Sequence, residues 1–224
     1  MIRRIVSLTS LILLFQGLPA FSQTLPRTQE NLDPIAQVTA ANFMSNFPDG
    51  NFYPERTISR AELASILVRV FRLDVRQPTR TETLTLTDVP TTHWAYNDIR
   101  TAIQTGMMTG YREGQFFPNQ RVTRAEAFSI IAQGYGVFQF PDENIRNLLS
   151  RYPDSNDIPS WARRSMATAL YEGFVNTDSN SRIRPQDPMT RGDMAYALSQ
   201  YLARQERPAT IPWNDDANVS SFLP

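Results

Sequence analysis

Apolar positions along this chain recur at helical spacing, in pairs of segments separated by short aromatic, glycine-containing stretches. The pattern is clearest over Leu86–Gly136. Trp94, Ile99, Ala102 and Ile103 share one helical face after Thr91-Thr92, so a first helix carrying Trp94 is predicted to run to about Thr105. Gly106 is placed to end it, and Gly110 and Gly114 make the next segment a tight loop. Gln115–Pro118 reads as short, aromatic and extended, because Pro118 biases Phe117 toward the β region and delays the next helix. Thr123 then opens a second helix with Ala125, Phe128, Ile130 and Ile131 apolar. The expected unit is helix, compact loop, helix.

The unit is present three times. Arg124 lies 64 residues after Arg60, and Arg191 lies 67 residues after Arg124. In that register Phe116 meets Phe52, Pro118 meets Pro54 and Pro185, Trp161 meets Trp94, and Gly173 meets Gly106. Such self-similarity means supersecondary units that bury their apolar faces on their neighbours. The fold class is therefore all-α. The divisions are an N-terminal linker at 23–31, repeat one at 32–76, a linker at 77–85, repeat two at 86–138, a linker at 139–151, repeat three at 152–204 and a tail at 205–224. Residues 145–149 could add a helical turn to the second linker. Repeat one has Glu30-Asn31 where Trp94-Ala95 aligns, so its first helix should be shortened or displaced. Asn46 stands where Gly110 does, which a left-handed Asn would tolerate. Ser181 replaces Gly50 and Gly114, and Asp178 and Asn180 are expected to take over its left-handed turn.

Residues 1–22 have the layout of a secretory signal: Arg3-Arg4, an apolar run from Ile5 to Phe15, and small residues before a cut after Ser22. That run falls short of the ~20 residues that span a bilayer, and no later stretch is long and apolar enough, so the mature chain is expected outside the cytoplasm with no membrane span. With 22 basic and 22 acidic residues the charge is balanced, which argues against a nucleic-acid partner. No Cys and one His exclude a disulfide framework, a thiolate or multi-His metal site and a Cys nucleophile. No nucleophile-elbow, metalloprotease or phosphate-loop motif is present, so neither catalysis, a cofactor nor a metal is expected. Every basic residue is Arg, the side chain suited to planar carboxylate recognition.

The recurrent element "VTRAEA" divides chemically. Ser59/Glu62, Thr123/Glu126 and Thr190/Asp193 each match a capping box, in which the hydroxyl and the acid satisfy opposite ends of the first turn. Capping leaves Arg60, Arg124 and Arg191 unexplained. Each is a cation in the first helical turn, where the macrodipole is positive. The compensating group is either a structural acid (Asp49, Asp88 or Asp154) or a ligand carboxylate. Trp94 and Trp161 suit the core of a helical domain, and their rings could instead stack on sugars. Phe52, Phe116, Tyr53 and Phe117 read as packing at the loop hinge. His93 reads as a surface or capping residue. Gly110 and Gly114 serve backbone shape, with exposed N–H groups that could also meet an anion.

"TDVPTTHWAYNDIRTAIQTGMMTGYREGQFFPNQRVTRAEAF" resembles the S-layer homology domain almost throughout; "YPDSNDIPSWARRSMATALYEGFV…IRPQDPMTRGDM" resembles it well, and "FPDGNFYPERTISRAELA" in its second half. The resemblance implies three units in a pseudo-threefold spindle that anchors proteins to the cell wall. It implies a peptidoglycan-linked anionic polysaccharide, often bearing a pyruvate ketal, held in grooves between units. By that resemblance Arg60, Arg124 and Arg191 contribute to those grooves, and the ring faces of Trp94 and Trp161 and the N–H groups of Gly110 and Gly114 complete the candidate ligand residues. The location is the periplasm, cell wall or cell surface. No barrel domain is expected after repeat three. The alternative function is an envelope scaffold that uses the same helical surface to hold a protein partner.

Overall fold

A computed structural model describes residues 33–80 and 84–206, so the expected signal segment, the N-terminal linker and residues 207–224 of the tail lie outside the described residues. Among the described residues there are seven α-helices and no strands: α1 Pro34–Ala40, α2 Arg60–Phe71, α3 Tyr96–Gln104, α4 Arg124–Tyr135, α5 Asp142–Leu149, α6 Arg163–Tyr171 and α7 Arg191–Gln205. Three belong to first-helix positions (α1, α3, α6) and three to second-helix positions (α2, α4, α7). The first helix of repeat one has 7 residues, against 9 in α3 and α6. The second linker folds into α5, whose Ile145 and Leu149 are buried.

Each second helix starts where its cap predicts. The hydroxyls of Ser59, Thr123 and Thr190 accept the backbone N–H of Glu62 (3.2 Å), Glu126 (3.2 Å) and Asp193 (3.1 Å). The three acids in turn accept the N–H of the capping residues at 2.9, 2.7 and 3.3 Å. The first helices end on a left-handed residue: Asn42 at φ 57°, Gly106 at 73° and Gly173 at 77°.

The main helix pairs form between repeats, not within one. The first helix of each repeat packs on the second helix of the repeat before it: α3 on α2, α6 on α4, and α1 on α7. The backbone repeats this cycle at its centre. Ile58 N–H donates to Met189 C=O (3.0 Å), Met189 N–H to Val122 C=O (2.8 Å), and Val122 N–H to Ile58 C=O (3.4 Å). These three residues occupy one repeat position, and all are buried. Their neighbours extend the exchange. The second residues of these helices, Ala61, Ala125 and Gly192, donate their N–H groups to the carbonyls of Pro118, Pro185 and Pro54 at 3.0, 2.9 and 2.7 Å. Helix N-termini that would otherwise hold unpaired N–H groups are thereby satisfied by the next repeat.

The loops differ from expectation in three places. Phe117 is left-handed at φ 57°, as are its counterparts Tyr53 (53°) and Arg184 (54°), each immediately before a proline. A bulky residue in this region costs about 1–2 kcal/mol. At two of the three the counterforce is an acid: Asp88 accepts the N–H groups of Phe116 (2.8 Å) and Phe117 (2.6 Å), and Asp154 accepts those of Ile183 (2.9 Å) and Arg184 (2.7 Å). Ser181 itself adopts φ 59°, supported by Asp178, whose carboxylate accepts the N–H groups of Asn180 and Arg182 at 2.9 and 3.0 Å. Neither Gly110 nor Asn46 is left-handed. Gly110 is small because an added Cβ would sit 3.0 Å from the Gln115 carbonyl.

Candidate functional site

The three motif arginines begin the second helices, and each points into the loop of the following repeat. Arg60 Nε donates to Phe116 C=O (2.8 Å) and its terminal nitrogen to Thr109 C=O (2.8 Å). Arg191 makes the same pair with Phe52 (2.8 Å) and Ser45 (2.7 Å). Arg124 makes it with Ile183 (2.8 Å) and Asn176, and adds the Asn176 side-chain oxygen (3.1 Å) and Asp193 Oδ1 (2.8 Å). Aromatic faces complete the surroundings: Phe116 lies 4.5 Å from the Arg60 guanidinium, Phe128 5.0 Å from Arg124, and Phe52 4.4 Å from Arg191.

This answers the question of the misplaced cation. Loop carbonyls, ring faces and, at Arg124, the Asp193 carboxylate receive the cations, and Asp49, Asp88 and Asp154 make no direct pair with them. Asp49 accepts the Tyr53 hydroxyl and the Asn51 N–H, while Asp88 and Asp154 hold the left-handed loop residues. Relative exposures are 9% for Arg60, 0% for Arg124 and 6% for Arg191. Burial lowers the guanidinium pKa of all three, and they stay charged because Arg starts so high. Burial alone would raise the Asp193 carboxyl. Arg124, Asn176 and Thr190 outweigh that and hold it below the usual carboxylate range.

The tryptophans depart from the core reading. Trp94 is 65% exposed and Trp161 59%, because α3 begins at Tyr96 and α6 at Arg163, leaving each ring on the turn before its helix. His93 lies on the turn before Ala95, the N-cap of α3: its Nδ1 accepts the Ala95 N–H at 3.1 Å, and its ring lies against Trp94 at 5.7 Å. The hinge aromatics divide, with Phe52 and Phe116 buried and Tyr53 and Phe117 exposed.

Trp94 opens onto a groove of about 760 Å³ beside the start of α2. Its cationic lining comes from three repeats: Arg56 and Arg69 from repeat one, Arg121 from repeat two and Arg191 from repeat three. Arg56 is held by Glu62 at 3.4 Å and by the Phe47 ring at 4.6 Å. Arg69 and Arg121 are exposed, and no acid pairs with either among the described residues. Such a groove offers an aromatic face and guanidinium donors to a ligand carrying a carboxylate. The structure thus brings Trp94 and Arg191 together there. Arg60, Arg124, Trp161, Gly110 and Gly114 lie outside it. Gly114 faces backbone instead: its φ is 72°, and an added Cβ would meet the Thr85 carbonyl at 2.4 Å. Sequence reasoning missed Arg56, Arg69 and Arg121. Their signal is that they break the repeat pattern: the counterparts of Arg69 are Gln133 and Gln200, and those of Arg121 are Thr57 and Pro188.

Among the described residues no helix is long and apolar enough to cross a membrane. The sequence model of the S-layer homology domain matches residues 28–64, 85–128 and 151–195, more than half of the chain. Each match closes just after a capping box. The surface-layer 125 kDa protein of Lysinibacillus sphaericus is 26% identical over 75% of this chain and 14% of its own length. The cellulosome-anchoring protein of Acetivibrio thermocellus is 24% identical over 73% of this chain and 36% of its own length. An amylopullulanase of Thermoanaerobacterium thermosulfurigenes is 27% identical over 77% and 9%. This chain therefore spans a minor part of each of these relatives.

Proposed function

Because the chain belongs to the S-layer homology domain family, we propose that it is an exported, non-catalytic anchoring module that holds a peptidoglycan-linked anionic polysaccharide at the cell envelope. The observation that carries the reading is the groove in which Trp94 meets Arg56, Arg69, Arg121 and Arg191, an arrangement suited to a sugar ring bearing a carboxylate such as a pyruvate ketal. The relatives described as surface-layer and cellulosome-anchoring proteins agree with it. The cyclic exchange among the repeats supports a pseudo-threefold spindle as the framework. In this arrangement all three motif arginines lock neighbouring repeats and so fix the groove walls, and Arg191 also borders the groove itself.

Purified chain incubated with isolated sacculi, before and after the secondary polymer is stripped, tests the proposal. Retention on intact sacculi and loss on stripped ones is expected. Equal retention on both would remove the polymer as ligand. No retention on either, with reproducible capture of one envelope protein, would favour the scaffold reading.

A further inference from the structure

The three repeats generate corresponding surroundings around the cycle, but they do not furnish them alike. Beside α2 the groove has Arg69 on the helix, Arg56 on the preceding loop and Arg121 from the next repeat. The repeat register gives the equivalent set beside α4 as Gln133, Gln120 and Pro188, and beside α7 as Gln200, Asp187 and Thr57. At these three positions the exposed arginines of the first set are absent from the other two, although Arg112 and Arg121 stand beside α4 where Pro48 and Thr57 line the first groove. The third set adds Asp187 to the capping acid that lines the first groove as Glu62 and recurs as Glu126 and Asp193.

Folding does not account for this difference. Arg69 and Arg121 have no acid partner among the described residues, and both extend into solvent. Arg60, Arg124 and Arg191, by contrast, recur in all three repeats and carry the interlock. The invariant arginines follow structural need. Of the variable ones, Arg69 and Arg121 have no such structural contact among the described residues to account for them.

We propose that the chain takes up its carboxylate-bearing sugar at a single groove, the one beside α2, with Arg69 and Arg121 as the residues that select for the anion. The proposal rests on the anchoring function above and adds a stoichiometry and a specificity to it. A module with one such groove ties one polymer strand. It gains nothing from multivalent attachment along the polymer.

The test is calorimetric titration of the full chain with the methyl glycoside of a pyruvate-ketal hexose, using its methyl ester as the neutral control. One equivalent of the acid should bind, and the ester should bind weakly. The double variant Arg69→Gln, Arg121→Thr installs the residues found at repeat counterparts. It should weaken binding severalfold, up to about 25-fold, since each exposed pair contributes up to roughly fivefold. Its melting point should stay unchanged, which separates lost recognition from lost folding. Two or three equivalents, or undiminished affinity in the double variant, overturns the single-groove proposal and leaves the anchoring reading in place. Failure of the wild-type chain to bind the acid while it still binds intact sacculi overturns the proposed ligand chemistry. Failure to bind either overturns both readings.

Discussion

Replacing Arg124 with Ala measures the interlock directly. The side chain is 0% exposed and donates to Ile183 C=O, Asn176 and Asp193 at 2.8, 3.1 and 2.8 Å. Truncation leaves a buried carboxylate without its cation and loop carbonyls without donors. Removing one partner of a buried ion pair costs about 3–5 kcal/mol. For a domain of this size each kcal/mol lowers the melting point by about 2–4 °C, so a fall of about 6–20 °C is expected. Arg60→Ala strands two carbonyls but no directly paired acid, and should cost less, about 1–3 kcal/mol. Calorimetric melting, with urea unfolding to confirm an unchanged m-value, reads both. The pH dependence adds a second check. Asp193 is held below its ordinary pKa, so its stabilising contribution is present above the unfolded carboxylate pKa and is lost as pH falls through the folded value. Without Arg124 that depression shrinks. The gap between wild type and variant should therefore narrow as pH falls into the carboxylate range. A variant melting within about 2 °C of wild type would refute the reasoning, and so would a gap that widens in acid.

Thr123→Ala removes a cap hydroxyl and should cost about 1 kcal/mol, read as a melting shift of about 2–4 °C. Two glycine substitutions should separate strain from collision. Gly50→Ala meets nothing within 4 Å and should cost only the left-handed penalty, about 1 kcal/mol. Gly114→Ala adds a 2.4 Å approach to the Thr85 carbonyl and should cost clearly more in denaturant unfolding. Trp94→Ala should leave stability within about 0.5 kcal/mol, because the ring is exposed, while reducing retention on sacculi in a pull-down.

What the sequence revealed follows the range of the interactions. The capping boxes are contacts three residues apart between side chains of distinctive type, so Thr123 and Glu126 announce their own geometry. The partners of Arg124 lie 52 to 69 residues away, and two of them are backbone carbonyls, which leave no mark on residue identity. Phe117 shows the same limit. Its proline neighbour speaks locally for an extended conformation, but Asp88, 29 residues earlier, accepts its N–H and fixes the left-handed one. The tryptophans misled because helical spacing extends the predicted helix back over Trp94, whereas α3 starts two residues later and turns the ring to solvent. The groove arginines were hidden differently. A search for what the repeats share passes over Arg69 and Arg121, whose information lies in not being shared.

The pairing of α1 with α7 separates this architecture from an open solenoid. In a solenoid a terminal repeat can fray or be deleted and the remainder stays folded, because stability is a sum over neighbours. Here the last contact joins positions 139 and 146 residues apart, Arg191 to Phe52 and to Ser45, and it closes the cycle. Contacts of such separation form late in folding, after their loop-closure entropy has been met. Until they form, α7 lacks its cover and the Arg191 side chain lacks the carbonyls that receive it. A two-repeat fragment is accordingly an unfinished ring, not two-thirds of a stable protein. The folded module is complete only when that seam has closed along with the other two.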